Sequence, residues 1–206
     1  SGDLPGGRAQ NLVAPIDGNW SAARGLAVWR RCLPVRFDRL QLANLALDRR
    51  ALTLCPAPGG AIVRSGPGGL RIAAGAPSLE VTGRLGATPI RIASGPVGLA
   101  IPGNFAARSL DIALGPPATA SHFRISDLSA RIGKDIAGRF SGSDVLLAAV
   151  PLDVRDASGT WRYAGGRLSL GDAAFRLEDR ESDDRFQPLI AQGASLTLAD
   201  NRIDAL

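Results

Sequence analysis

The sequence has no methionine, and it has one histidine and one lysine among 206 residues. Both Ser-His-Asp and Cys-His catalysis would therefore depend on His122, and no nucleophile motif lies beside it. One histidine and two cysteines cannot form a tetrahedral zinc site without carboxylates, and no ligand spacing indicates such a site. We interpret His122 as a surface or turn residue, and we expect no enzymatic activity, no metal and no cofactor.

Long apolar runs, aromatic residues and nucleotide-binding motifs are also lacking. No stretch approaches the ~18 consecutive apolar residues that a membrane-spanning helix needs. The glycine-rich residues 65–70 have neither the Walker lysine nor the dinucleotide-binding spacing. Aromatic residues make up 5% of the chain, and only Trp161 and Tyr163, beside Arg162, match the basic aromatic surface that binds single-stranded nucleic acid. We interpret this pair as core packing and expect no nucleic-acid partner.

The charged residues of both signs are mixed along the chain. The formal net charge is +5, and the arginines that supply it are scattered along the chain, mostly singly and next to acids, rather than collected in one block. This pattern favours a solvated outer face, with contact to anionic lipid as the alternative. Carboxylates flanked by apolar alternation are interpreted as outward strand positions, and a glycosidase pair among them would need two facing each other in a cleft. They are Asp38, Asp48, Asp111, Asp127 and Asp153.

The two cysteines, Cys32 and Cys55, are the only ones in the chain. They predict one structural disulfide and therefore an oxidising compartment. Closing a loop of this length contributes about 3 kcal/mol in the chain-entropy model. The alternative is a pair of unrelated buried thiols in a cytosolic protein.

Short apolar alternation is what the chain has in abundance. Between the cysteines, Val35/Phe37, Leu40/Leu42, Leu45/Leu47 and Leu52/Leu54 each place an apolar residue at every second position, which is the period of a strand. The pattern recurs about every 8 to 12 residues with Gly and Pro turns between, which leaves no room for helical crossovers. It predicts an all-β, mainly antiparallel fold.

The pattern also divides the chain. We expect an extended segment over residues 1–18, a short helix over 19–32 and a single β-meander module over 33–206. The helix prediction, centred on residues 20–31, comes from apolar Trp20, Ala23 and Ala27 at helical spacing. Residues 178–185 are rich in acids and arginines and are expected to form a solvated loop between strands.

The apolar side of such a meander either closes on itself as a sandwich or barrel, or it lines a groove. We expect a long curled sheet that forms a groove or open barrel, because a dozen strands would leave an apolar strip that needs cargo. The candidate lining residues are the alternating apolar positions Leu40, Leu42, Leu45, Leu47, Leu52, Leu54, Leu70, Ile72, Ile90, Ile92, Leu110, Ile112, Phe123, Ile125, Leu168, Leu170, Leu196 and Leu198.

Two segments carry a resemblance to a known family. CLPVRFDRLQLANLALDRRALTLCP, residues 32–56, and RFQPLIAQGASLTLADNRIDA, residues 185–205, together resemble the YdbH-type branch of the AsmA-like proteins, also labelled a dicarboxylate-transport domain. The resemblance implies a large protein anchored in the inner membrane of Gram-negative bacteria. It implies a periplasmic β-sheet gutter that moves phospholipid between the two membranes. That family is not defined by catalytic residues.

The first hypothesis is therefore a periplasmic lipid-binding β-groove segment, an internal fragment of a longer protein. We expect a phospholipid or another acyl-chain lipid as its ligand, and an outer-membrane lipoprotein as a candidate partner at a sheet edge. The second hypothesis is a non-catalytic scaffold that binds a partner protein by edge-strand addition. A third is an enzyme acting on a periplasmic glycan.

Overall fold

The computed structural model describes residues 2–4, 7–23, 25–181, 185–199 and 202–205. These residues form strands joined by turns, and one 3-10 turn at Pro117–Thr119 is the only helical element among them. The all-β, antiparallel prediction is thereby confirmed. Within the described ranges, no helix has the length and apolar character needed to cross a membrane. The contacts divide the chain into two compact units, residues 1–104 and 105–206.

The first unit contains short strands that come in consecutive pairs. They are β1 (Gly2–Leu4), β2 (Gly7–Gln10), β3 (Gly18–Ser21), β4 (Gly25–Val28), β5 (Leu33–Leu42), β6 (Leu45–Leu54), β7 (Val63–Gly66), β8 (Gly69–Ala76), β9 (Leu79–Leu85), β10 (Thr88–Ser94) and β11 (Val97–Ile101). Residues 1–18, expected to be merely extended, contain β1 and β2, which pair with each other.

Two antiparallel series run through this unit. One series pairs β1–β2–β5–β6–β9–β10, and the other pairs β3–β4–β7–β8–β11. The chain alternates between them, so β4 leads directly into β5, and β6 leads through residues 55–62 into β7. Each passage of the chain is therefore a long strand interrupted near its middle.

The helix expected over residues 19–32 is wrong, because these residues form the β3–β4 hairpin. Trp20 pairs with Leu26 across the hairpin, and β4 pairs in turn with β7. Gly25 has a φ of +72°, and a side chain there would overlap the Ser65 carbonyl oxygen. Tertiary strand pairing therefore outweighs the weak helical propensity of a segment with few apolar positions.

The predicted disulfide is present at the interruption between the strands. It joins Cys32 to Cys55 across a sequence separation of 23, next to the Leu33–Leu54 pair that opens the β5–β6 hairpin. Cys55 also exchanges two backbone hydrogen bonds of 2.8 Å with Gly75. The disulfide thus fixes the point at which β6 ends and the chain turns toward β7.

The second unit is a simple meander of longer strands. After β12 (Gly103–Leu114) come β13 (Ser121–Ile132), β14 (Ile136–Leu146), β15 (Leu152–Ala164), β16 (Arg167–Asp179), β17 (Leu189–Ala199) and β18 (Arg202–Ala205). From β13 to β18, each strand pairs antiparallel with the next.

A line of irregular residues crosses the strands of this unit. Left-handed φ values occur in mid-strand at Ser109, Gly142, Asp156, Asp172 and Gly193. The register shifts of the β14–β15, β15–β16 and β16–β17 pairs fall at the same positions. Such bulges insert one residue, so the apolar positions step by three there and return to the same side of the sheet.

Burial is shallow throughout the described residues. The first unit has a small core cluster of Phe37, Leu47 and Val81. In the second unit the buried apolar residues are mostly alanines, and no large side chain of the described chain is fully buried. Most of the leucines and aromatic residues on β13 to β17 are half-buried, as in a sheet whose apolar side is incompletely covered.

Candidate functional site

Three apolar rows cross the strands of the second unit from β13 to β17, and we call them together the second-unit apolar face. Each row follows the cross-strand register, so its members are neighbours in space. The first row is Ile132, Ile136, Tyr163, Leu168 and Leu198; the second is Ala130, Gly138, Trp161, Leu170 and Leu196; the third is Phe123, Val145, Val154, Leu177 and Leu189. A row that crosses five strands extends about 19 Å, at about 4.8 Å per strand interval.

The mid-strand bulges are what place these rows on one side. Along β15, Val154 and Trp161 are separated by an odd number of positions, so an unbroken strand would direct them to opposite faces. The bulge at Asp156 adds one residue between them. The same offset separates Leu170 from Leu177 around Asp172. A single apolar side therefore extends over the whole length of β15 and of β16.

The second-unit apolar face remains partly open to solvent. Tyr163 is 47% exposed, Leu189 55% and Leu198 39%, and the other large side chains of the rows are half-buried. Soluble proteins seldom leave a continuous apolar strip of this extent uncovered. The arrangement is able to hold an elongated apolar ligand laid across the strands.

Small residues form the middle of this face along the bulge line. Ala157 and Ala173 are buried, and Gly159 lies opposite Phe140 in the β14–β15 pair. A Cβ on Gly159 would lie 3.2 Å from the Phe140 ring. The face is therefore shallow along its midline and bordered by larger side chains.

The first unit brings several candidate lining residues into its core cluster. Leu47 belongs to the cluster, and Leu40, Leu45, Leu52 and Ile92 pack against it. Leu42, which pairs with Leu45, is 38% exposed, and Leu70 is 59% exposed. Leu54 pairs with Leu33, Ile90 with Gly83, and Ile72 with Val63.

In the second unit, the predicted Phe123, Leu168, Leu170, Leu196 and Leu198 all lie in the three rows. Leu110 and, in the first unit, Leu47 are 9% exposed, so little of either side chain is open to solvent. Ile112 and Ile125 are half-buried on β12 and β13. Whether any of these residues contacts lipid stays a prediction.

The sequence interpretation missed part of this face. We interpreted Trp161 and Tyr163 as core packing, yet Tyr163 is nearly half exposed and both lie in the rows. Leu177 and Val154 were also absent from the candidate set. Their alternation was visible in the sequence, but the step of three at the bulges hid that they share a side with Leu168 and Leu170.

The opposite side of the second unit carries ion pairs. Asp153, expected to point outward, is 5% exposed because Arg155 and Arg180 cover it, with hydrogen bonds of 2.7 and 2.8 Å. Glu178 pairs with Arg155 at 3.4 Å and Arg176 at 2.8 Å. The arginines here neutralise acids on the polar side of the strands.

Three of the other carboxylates considered for glycan hydrolysis, Asp38, Asp111 and Asp127, lie beside cations or an amide. Asp38 accepts hydrogen bonds from Asn11 at 2.6 Å and pairs with Arg49 at 2.7 Å; these contacts lower the pKa of its carboxyl, the Asn11 bond most. Asp127 pairs with Arg108 at 3.5 Å. Asp111 lies 3.9 Å from both His122 and Arg124. Among the described residues, no group of three or more His, Cys, Asp or Glu side chains is placed to hold a metal.

The described residues of the acidic segment, 178–181 and 185, belong to β16 or are hydrogen-bonded to its last residue, except Arg180, which pairs with Asp153. Asp179 ends β16, and its side chain is 1% exposed. It accepts hydrogen bonds from the Arg185 side chain at 2.6 and 2.9 Å. These bonds, with those from two backbone N–H groups, hold the pKa of Asp179 well below its usual range. Residues 182–184 lie outside the described residues.

Comparison with known proteins gives one match. A family model described as YdbH-like, intermembrane phospholipid transport protein YdbH, matches residues 2–205. No curated protein and no solved structure was found to match the chain. The matched range spans both units and includes the two segments on which the resemblance rests.

Proposed function

Because the chain belongs to the YdbH-like family of intermembrane phospholipid transport proteins, we propose that it is a lipid-carrying segment of a β-sheet groove. Acyl chains would lie on the apolar side of the strands, and no chemical step would be needed. The observation that supports this most is the second-unit apolar face, whose rows run across the strands and remain partly exposed.

The energetics of such a surface favour acyl chains. Removing a methylene group from water is worth about 0.8 kcal/mol, so even a partly covered chain gains several times that amount. The half-buried leucines of the rows gain from the same contact, because the ligand covers area that the sheet alone leaves exposed. A ligand that slides along a row exchanges one set of apolar contacts for an equivalent set, which suits transport.

The location proposed is the periplasm. Its support is the Cys32–Cys55 disulfide, which is typical of oxidising compartments, and the family description of transport between membranes. Anchoring of a longer protein in the inner membrane, and an outer-membrane lipoprotein bound at a sheet edge, are part of the same proposal.

The test uses paired charge substitutions on opposite sides of β17. Leu189→Glu with Leu198→Glu places two charges in the rows at exposed positions, so the fold should tolerate them. Lipid recovered with the purified protein, measured by mass spectrometry, and uptake of a fluorescent phospholipid should both fall about tenfold or more, since a buried charge without a partner costs several kcal/mol.

The matched control is Ile190→Glu with Gln192→Glu, which adds the same charge to the other side of the same strand. Ile190 is 76% exposed and pairs with Arg176, opposite the apolar rows. This control should keep wild-type lipid content. Equal loss in both variants, or a wild-type protein free of lipid and unable to take any up, would contradict the proposal and favour the edge-strand scaffold.

A further inference from the structure

A cationic cleft lies at one end of the first unit, where the turns of the β3–β4 and β7–β8 hairpins meet. Its volume is about 680 Å³, and Arg30, Arg64 and Arg71 line it. The other described residues that line it are small or neutral, include the glycines of the β7–β8 turn, and contain no carboxylate. This volume is within the range of pockets that hold small organic ligands.

Strand register brings two of these charges together. Arg64 on β7 lies directly opposite Arg71 on β8, and like charges in that position repel each other. Across the other side of β7, Arg64 lies opposite Ala27, which is also one of the residues that line the cleft. The sheet therefore holds two guanidinium groups side by side at the edge of an open space.

No acid among the described residues neutralises the three arginines of the cleft. Elsewhere arginines pair with carboxylates, as Arg91 does with Glu80 at 3.0 Å and Arg49 with Asp38 at 2.7 Å. Among the described residues, Arg30, Arg64 and Arg71 make no ion pair with an aspartate or glutamate. An anion in the cleft would relieve the repulsion that the sheet imposes.

The opposite side of the same strands is apolar and exposed. Trp20 pairs with Leu26, Leu26 with Ser65, and Ser65 with Leu70, so these residues share the side away from Arg64 and Arg71. Trp20 is 71% exposed, Leu26 41% and Leu70 59%. One end of the unit thus presents uncompensated cations on one side and bare apolar groups on the other.

We infer that the cationic cleft binds a phosphate group, held by the guanidinium groups of Arg64 and Arg71 with Arg30 beside them. Planar guanidinium groups match phosphate oxygens in charge and geometry, and two adjacent ones suit a singly charged phosphodiester. In a lipid carrier this phosphate is that of a glycerophospholipid headgroup, an assignment that rests on the proposed function. Free phosphate has the same chemistry and is distinguished by the test.

The experiment compares three soluble probes by calorimetric titration of the whole chain. They are inorganic phosphate, dihexanoyl phosphatidylglycerol below its micelle concentration, and dihexanoylglycerol, which lacks the phosphate. The variant is Arg64→Gln with Arg71→Gln. The control is Arg131→Gln with Arg167→Gln, two exposed arginines of the second unit, which removes the same charge elsewhere.

The short-chain phospholipid should bind the wild type and the control about equally, and the cleft variant at least about tenfold more weakly, since one charge-assisted hydrogen bond alone contributes about that factor. Dihexanoylglycerol should not distinguish the proteins. Binding of inorganic phosphate with the same dependence on the two arginines, but not of the phospholipid, would support a free-phosphate site. Equal binding of both phosphate probes to variant and wild type would overturn the inference.

Weaker binding by the cleft variant does not come from misfolding, because glutamine at positions 64 and 71 removes the repulsion between two arginines. The cleft variant should melt at or above the wild-type temperature without ligand. The failure of this site is also separable from the failure of the proposed function. If the cleft variant binds every probe like the wild type while native lipid still copurifies, the groove proposal stands and only the phosphate site is wrong.

Discussion

At the scale of single residues, one carboxylate organises the connection that follows β16. Asp179 accepts two side-chain hydrogen bonds from Arg185 and further ones from the N–H groups of Glu181 and Arg185. Each of these bonds favours the charged carboxylate. An acidic stretch that the sequence predicts to be solvated therefore contains a carboxylate that is buried and accepts four hydrogen bonds.

This bonding predicts a pH-dependent contribution to stability. The pKa of Asp179 in the folded protein lies well below its ordinary value of 3.8, so its stabilising contribution is complete above the unfolded-state value and is lost as the pH falls through the folded-state one. Asp179→Asn should lower the melting temperature at neutral pH, and the difference from wild type should shrink on acidification below 3.8.

Asp48→Asn is the control, because the Asp48 side chain makes no hydrogen bond or ion pair with the described residues. Thermal melts from neutral to acidic pH, followed by circular dichroism, give the comparison. Parallel curves for wild type and Asp179→Asn would show that the Arg185 contacts contribute nothing to stability in solution.

At the scale of strands, the bulge line decides what the second unit exposes. Without the inserted residues, half of each strand would direct its leucines to the polar side. Gly142 shows the constraint most clearly, because it has a φ of +56° and an added Cβ would lie 2.7 Å from the Ser126 hydroxyl. Glycine is therefore favoured at position 142 for two reasons, the left-handed backbone conformation of the β14 bulge and the proximity of Ser126 on β13.

Two alanine substitutions separate these contributions. Gly165 has the same φ of +56° but has nothing within 4 Å of an added Cβ. Both Gly142→Ala and Gly165→Ala should lose about 1 kcal/mol for the left-handed backbone. Gly142→Ala should lose more, because β13 must shift, and chemical denaturation measures the difference. Equal losses of stability in the two variants would mean that β13 moves away from an added methyl group at position 142 without cost.

Apolar alternation predicted some of the strands and missed others. Alternation at Leu40/Leu42 and Leu168/Leu170 correctly indicated strands, since period two has few other causes. The strands within residues 19–32 were not predicted, because the spacing of Trp20, Ala23 and Ala27 also fits a helix. The pairing of β4 with β7 favours the strand there. The sequence also did not predict which side of the sheet the apolar residues of a whole strand face. A single left-handed residue such as Asp172 reverses the alternation in mid-strand, and nothing in the sequence identifies it clearly.

At the scale of the whole molecule, the disulfide, the strand class and the family were all predictable, whereas the pattern of exposure was not. The first two depend on local chemistry, as Cys32 and Cys55 and the alternating leucines show. The exposure of a side chain depends on its neighbours on adjacent strands. These neighbours are set by long-range register, as in the row Trp161–Leu170–Leu196. The arginines illustrate the same limit, since only register distinguishes Arg64 and Arg71 from those that neutralise acids.

Shallow burial predicts that ligand and stability are coupled. No large side chain of the described residues is fully buried, so covering the second-unit apolar face adds apolar burial that the sheet lacks alone. A ligand that binds only the folded state stabilises it by about 2.7 kcal/mol at a free concentration of one hundred times its Kd. Adding dihexanoylglycerol, which lacks the phosphate that the cationic cleft is proposed to bind, should therefore raise the melting temperature of the wild type and of the Ile190→Glu, Gln192→Glu control. The rise should be much smaller for Leu189→Glu with Leu198→Glu, because these charges oppose apolar contact at the β17 ends of the first and third rows. An equal rise in all three proteins would mean that the lipid stabilises the chain somewhere other than on the rows.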